Sequence, residues 1–145
     1  MDLNPFHLAI PVRDIPEARN FYGKTLGFPE GRSSDTWIDF NMFGHQLVTH
    51  LDTKLGLGGQ VKNVSNQVDE HAIPIPHFGV VLGIEEWKQF AAEIQPLIKS
   101  FIVEPYIRFQ GQVGEQATMF FADPSGNMLE FKGFANVGED LFKQS

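Results

Sequence analysis

Apolar positions set the first elements of the chain. "FHLAIPV" (6–12) reads as a strand, and the period then changes. In "RDIPEARNFYGKTLG", Ile15, Ala18, Tyr22 and Leu26 recur at helical spacing, which gives a helix one apolar stripe to lay on a sheet. Asp14 is the expected N-cap, with Glu17 three residues on in capping-box position; Pro16 stands in the first turn and Gly27 is placed to end the helix. Three short strands are expected next, over about 29–34, 36–42 and 46–51, separated by the turn signals "SSD" and "FGH".

The same order then recurs. "HFGVVL" (77–82) reads as a strand and about 84–98 as a helix with Trp87, Phe90, Ala91 and Ile94 on its inner face, its last turn disturbed by Pro96. Strands near 101–108, 117–122 and 128–134 complete the set. The pattern predicts an α+β fold of two tandem βαβββ modules within a single 1–145 domain. Module 1 covers about 6–52 and module 2 about 77–134. Residues 53–76 hold glycines, polar residues and two prolines with little periodicity, which predicts a linker or a mobile lid.

A duplicated chain brings equivalent residues together. His7 and His77, seventy residues apart, each open the first strand of a module. At a gapless shift of eighty, "WIDFNMFGHQLVTHL" (37–51) lies over "ATMFFADPSGNMLEF" (117–131), pairing Phe40 with Phe120 and His50 with Glu130. Glu130 stands between Leu129 and Phe131, so in an extended strand it points away from both. A pseudo-twofold relating the modules would bring His7, His50, His77 and Glu130 to one concave region, where their curved sheets enclose a metal and substrate cavity.

Composition narrows the chemistry. A formal charge of −7 argues against a nucleic-acid backbone as partner. With no cysteine, any metal must be held by nitrogen and oxygen ligands. No segment approaches the roughly 20 apolar residues that span a bilayer, and "MDLNPFHLAI" lacks a basic leader, so no membrane association and a cytoplasmic location are expected. Imidazole and carboxylate suit iron(II), manganese, nickel, cobalt or zinc, and two histidines with one carboxylate suit a metal that keeps positions open for substrate or dioxygen.

Two βαβββ repeats, a histidine in the first strand of each, and the ending "F-x-DPSGN-x-x-E" resemble the vicinal oxygen chelate superfamily, which includes glyoxalase I, extradiol dioxygenases and bleomycin- or fosfomycin-resistance proteins. The resemblance runs from about Phe6 to Phe134, outside the linker. By position it implies His7, His77 and Glu130 as ligands of a divalent metal, matching the histidine, histidine, glutamate triad of extradiol dioxygenases. It puts His50 where bacterial glyoxalase I has a second glutamate, as a fourth ligand or as an acid and base together with Glu130. Phe120 stands where many extradiol enzymes carry a tyrosine.

The resemblance therefore implies a small-molecule enzyme. Iron(II)-dependent dioxygenase chemistry on a substrate with adjacent oxygens is the leading expectation. A glyoxalase I-like isomerase is one alternative and a metal-free antibiotic-binding protein another. Arg108 is a candidate clamp for an anionic substrate. Tyr106 and Phe120 are expected to wall the pocket, Trp37 and Phe121 to lie in wall or core, and His45 and His71 to face solvent. Homodimerisation is expected from the resemblance.

Overall fold

The computed structural model describes residues 3–144, which divide into two compact units. The first holds residues up to Ile75 together with Asp123–Asn127; the second holds Pro76–Ala122 and the chain from Met128 onward.

In the first unit β1 (His7–Val12) leads into a helix, α1 (Ile15–Ala18), that widens into a π-helical stretch, Arg19–Thr25. Asp14 caps it, its carboxylate accepting from the Glu17 backbone N–H at 2.8 Å. The Glu17 side chain does not close the capping box; it grips the Arg13 guanidinium at 2.7 and 2.9 Å. Gly27, at φ +76°, ends the helix in the left-handed conformation that costs glycine least.

Three strands follow: β2 (Glu30–Ser33), β3 (Trp37–Met42) and β4 (His45–Leu51). The sheet order is β1-β4-β3-β2, with β1 parallel to β4 and the other pairs antiparallel. One face is buried: Ile38, Phe40 and Leu47 lie there with the polar Thr49, and the Tyr22 ring packs 5.7 Å from that of Phe40. The other face carries His7, Ala9, Trp37, Asp39, Asn41, Gln46 and His50 by strand alternation.

Residues 53–76 are not a featureless linker. Val64–Val68 (β5) and His71–Ile75 (β6) pair as an antiparallel hairpin, whose turn places Asp69 and Glu70 at positive φ. The stretch before it is tied to the "DPSGN" turn, since the Val61 N–H donates to the Ser125 carbonyl at 2.7 Å and Asn63 Nδ2 donates to the Gly126 carbonyl at 3.1 Å. A proline inside the second strand and the short strand runs leave little alternation for a periodicity argument to find.

The second unit repeats the plan with differences. The expected strand 77–82 is broken into β7 (His77–Phe78) and β8 (Val81–Gly83), both parallel to β11 (Met128–Phe134). Helix α2 runs Ile84–Ile94, shorter than the sequence indicates because the chain turns before Pro96. Strands β9 (Val103–Arg108) and β10 (Gln116–Ala122) complete a sheet ordered β7-β11-β10-β9, and a short helix, α3 (Val137–Asp140), follows. Trp87, Phe90, Ala91 and Ile94 are all buried, as their spacing predicts. Phe90 meets Phe131 edge-on at 5.0 Å, and Trp87 Nε1 donates to the Phe131 carbonyl at 2.8 Å.

Candidate metal centre

Glu130 is placed by alternation. Leu129 and Phe131 are fully buried toward α2, so the residue between them faces the other side of the sheet. There its Oε1 lies 3.4 Å from His77 Nε2, and its Oε2 accepts from the Thr118 hydroxyl at 2.7 Å. The His77 ring stands edge-on to Phe120, 4.8 Å between centroids. Gly79 makes the approach possible, because a Cβ there would fall 1.6 Å from the Glu130 carbonyl oxygen. Two strands can close around this pair only with glycine at that point.

Two donor atoms each about 2.1 Å from one ion stand about 3.0–3.4 Å apart in octahedral or tetrahedral geometry. The His77–Glu130 separation falls in that range. A hydrogen bond that fixes the second carboxylate oxygen is also how ligating carboxylates are commonly held. On donor type and spacing, this pair fits a divalent metal.

In the first unit His7 Nδ1 is 2.6 Å from Gln46 Oε1. A carbonyl oxygen only accepts, so Nδ1 donates this bond, and in the neutral imidazole Nε2 is then the nitrogen with the lone pair. His50 lies opposite Pro11 on β1 and Trp37 on β3, whereas His7 lies opposite Gln46. Four residues of strand, about 13 Å, separate the two histidines along the sheet.

Register overturns the gapless repeat. Each first-strand histidine faces a last-strand residue, Gln46 for His7 and Met128 for His77, and two residues farther on stand Val48 and Glu130. Val48 pairs with Asp39, and Glu130 with Phe120. The counterpart of Glu130 is therefore Val48, that of Phe120 is Asp39, and His50 answers to Lys132. The cause is turn length: Phe43 and Gly44 alone join β3 to β4, while residues 123–127 join β10 to β11. Phe40 and Phe120, paired at a shift of eighty, lie on opposite faces of their sheets. One packs on Tyr22, the other on His77.

Among the described residues no group of three or more His, Asp or Glu side chains gathers as a metal site. Tyr106 is opposite Thr118 on β9, and Phe120 is buried against His77. Arg108 is exposed at the end of β9 with its guanidinium 5.3 Å from the Phe109 ring. Trp37 sits on the open face under the Arg32 guanidinium, at 5.4 Å. Phe121 is core, stacked on Phe131. His71 is exposed, but His45 is half-buried as the first residue of β4, where its Nδ1 accepts from the Phe6 N–H at 2.8 Å.

Sequence reasoning missed Thr118 and Gln46, since neither has metal-ligand chemistry of its own. The "DPSGN" segment, which carries the family resemblance, also holds a buried polar network that no spacing announces. Asp123 is buried and accepts four bonds: from Tyr22 Oη at 2.6 Å, the Ser125 and Asn127 N–H groups at 2.9 and 2.8 Å, and Asn127 Nδ2 at 2.9 Å. Burial still pushes its carboxyl above the usual range, and burial together with the neighbouring carboxylate pushes the Tyr22 phenol well up. The turn is anchored further by Asn127 Nδ2 on the Pro11 carbonyl at 2.7 Å and by the Arg13 N–H on Ser125 Oγ at 3.0 Å.

A twice-repeated βαβββ plan, with a histidine and a glutamate set side by side on the open face of one sheet, defines an α+β protein of the vicinal oxygen chelate kind. The family profile described as Glyoxalase/Bleomycin resistance protein/Dioxygenase superfamily matches residues 5–131, and the chain belongs to that superfamily. A glyoxalase/bleomycin resistance protein/dioxygenase from Alicyclobacillus acidocaldarius shares 33% identity at a TM-score of 0.69, over 92% of each chain. A glyoxalase/dioxygenase from Nostoc punctiforme, 17% identical over 92% of each chain, superposes at 0.64. The fosfomycin resistance protein FosX from Listeria monocytogenes, 16% identical over 92% of this chain and 94% of its own, superposes at 0.61. These last two likenesses are of fold. Among curated proteins none matches the sequence.

Proposed function

We propose that the chain is a metal-dependent enzyme acting on a small molecule with adjacent oxygens, and that its chemistry is of the dioxygenase type. The observation that carries this reading is the His77–Glu130 pair with Thr118 behind it. His7, whose Nε2 is left as a lone pair by its bond to Gln46, is the third ligand implied by the family resemblance. The set of two imidazoles and one carboxylate suits iron(II), with manganese, cobalt, nickel or zinc as alternatives. When bound, such an ion supplies Lewis acidity toward two vicinal oxygens.

The chain's own residues do the rest. Thr118 holds the Glu130 carboxylate in one rotamer, and Phe120 keeps one side of His77 dry. His50, which lies opposite Pro11 and Trp37, is assigned the outer role of moving a proton as a general acid or base. A glyoxalase-type isomerisation is disfavoured because Val48, a buried apolar residue, stands in the first unit where the second carboxylate would be needed. Arg108 and Tyr106 are assigned to the substrate side of the second unit.

Elemental analysis of protein purified without chelator tests the metal. Stoichiometric iron or another divalent ion, lost in both His77→Ala and Glu130→Gln, is expected; its absence from wild type would leave a binding protein. Oxygen uptake with catechols after iron(II) reconstitution is expected to exceed turnover of a methylglyoxal–thiol adduct. Mixing His7→Ala with Glu130→Ala protein tests a site shared between two copies, since partial recovery of metal binding requires ligands from both chains.

A further inference from the structure

A second feature lies on the open face of the first unit. A cavity of about 500 Å³ there is lined by Glu30, Arg32, Asp39, Asn41, His45 and Gln46, among others. The polar atoms are not evenly available. Asn41 Oδ1 already accepts from the Gly44 N–H at 2.7 Å, which leaves its Nδ2 hydrogens free. His45 Nδ1 accepts from the Phe6 N–H, so its remaining nitrogen is a donor. Gln46 Oε1 is taken by His7, which leaves the amide nitrogen. In all three the acceptor atom already takes one bond, while among the described residues the remaining N–H is uncommitted.

The charged residues divide the same way. Glu30 is ion-paired with Arg19, its carboxylate accepting at 2.8 and 3.5 Å, which offsets its charge. The Arg32 guanidinium carbon lies over the Trp37 ring, 5.4 Å from its centroid, and among the described residues Arg32 makes no ion pair, so its N–H groups remain available to an anion. Among the described residues the Asp39 carboxylate has no hydrogen-bond or ion-pair partner; Gly31 beside it adds no side chain, and a Cβ there would press on Asp39 Cβ at 3.4 Å. The cavity thus has four donor groups, one of them cationic, with one carboxylate already ion-paired and one that is not.

We propose that this cavity binds a small polyoxygenated anion that also carries a hydroxyl group, of the hydroxycarboxylate or hydroxyalkyl phosphate class. Its anionic oxygens face the edge of Arg32 and the freed amides, and its hydroxyl donates to Asp39. A simple dianion without a hydroxyl fits worse, because Asp39 repels it with nothing to donate. Through Gln46 the cavity abuts His7, but the inference stands on the first unit alone and needs no metal.

The test uses the full chain in excess EDTA, so failure of the proposed metal site cannot mask or mimic the outcome. L-malate, succinate, glycerol 3-phosphate, inorganic phosphate and erythritol are titrated while the side-chain amide signals of Asn41 and Gln46 are followed by ¹H–¹⁵N NMR. L-malate, glycerol 3-phosphate or both are expected to shift these two signals with at least 10-fold higher affinity than succinate, inorganic phosphate and erythritol; which of the two does so identifies the anionic group. Arg32→Gln is expected to weaken binding by 10-fold or more, with Arg32→Lys intermediate. Asp39→Asn is expected to erase the preference for malate over succinate. Unchanged spectral dispersion certifies the fold of each variant. Neither ligand moving the two amides, or Arg32→Gln binding as wild type, would overturn the site; succinate matching malate in wild type would overturn the hydroxyl assignment.

Discussion

Replacing Tyr22 by phenylalanine isolates one buried bond. Tyr22 is fully buried among Phe21, Phe28 and Phe40, with ring centroids at 5.0, 6.5 and 5.7 Å, and phenylalanine preserves that packing. What disappears is the hydroxyl that donates to Asp123 Oδ2 at 2.6 Å. That oxygen then keeps only Asn127 Nδ2. A hydrogen bond to a charged acceptor contributes about 1.5–3 kcal/mol, so a loss of about 2 kcal/mol, or about 4–8 °C in Tm, is expected.

The pH dependence gives a second check. Asp123 has its carboxyl raised in the folded protein by burial. Between the ordinary carboxylate range and that raised value the native state binds more protons than the unfolded one, so this group's contribution to stability grows as pH falls through the window and is lost as pH rises through it. The Tyr22 bond opposes the rise by favouring the ionised form. The cost of Tyr22→Phe is therefore largest where Asp123 is ionised and shrinks in acid. Urea denaturation followed by far-ultraviolet circular dichroism, at neutral pH and at successive lower values, measures both. A cost below about 0.5 kcal/mol at neutral pH, or one that grows in acid, would refute the reasoning.

Thr118→Val should lower metal affinity by about 10–100-fold in isothermal titration while Thr118→Ser stays near wild type, because only the hydroxyl fixes Glu130. Gly79→Ala should lose metal binding and destabilise the second unit, since its Cβ collides with the Glu130 backbone and shifts the ligand; equal metal content in wild type and variant would argue against that placement. Gly133→Ala, whose Cβ would stand 2.6 Å from Trp87 Cβ, is expected to cost about 1–3 kcal/mol by chemical denaturation without altering metal content. Trp87→Phe removes the bond to the Phe131 carbonyl and should cost at least about 1 kcal/mol, read from the same curves.

The sequence by itself determined the elements and their order. Asp14 announces the first helix, the stripe of Trp87, Phe90, Ala91 and Ile94 orients the second, and the alternation around Glu130 turns its carboxylate away from the core. Each is a local property, readable because helical and extended chains present side chains at fixed periods. Tertiary structure decided which residue stands opposite which. Strand register depends on how many residues each turn spends in space. A two-residue turn in one hairpin and a five-residue loop in the other move His50 from the place of Glu130 to that of Lys132. Thr118 behind Glu130, Gln46 behind His7, and the engaged acceptors of Asn41 and His45 arise from partners brought together by folding. The contacts that prepare a side chain for chemistry leave no period in the chain.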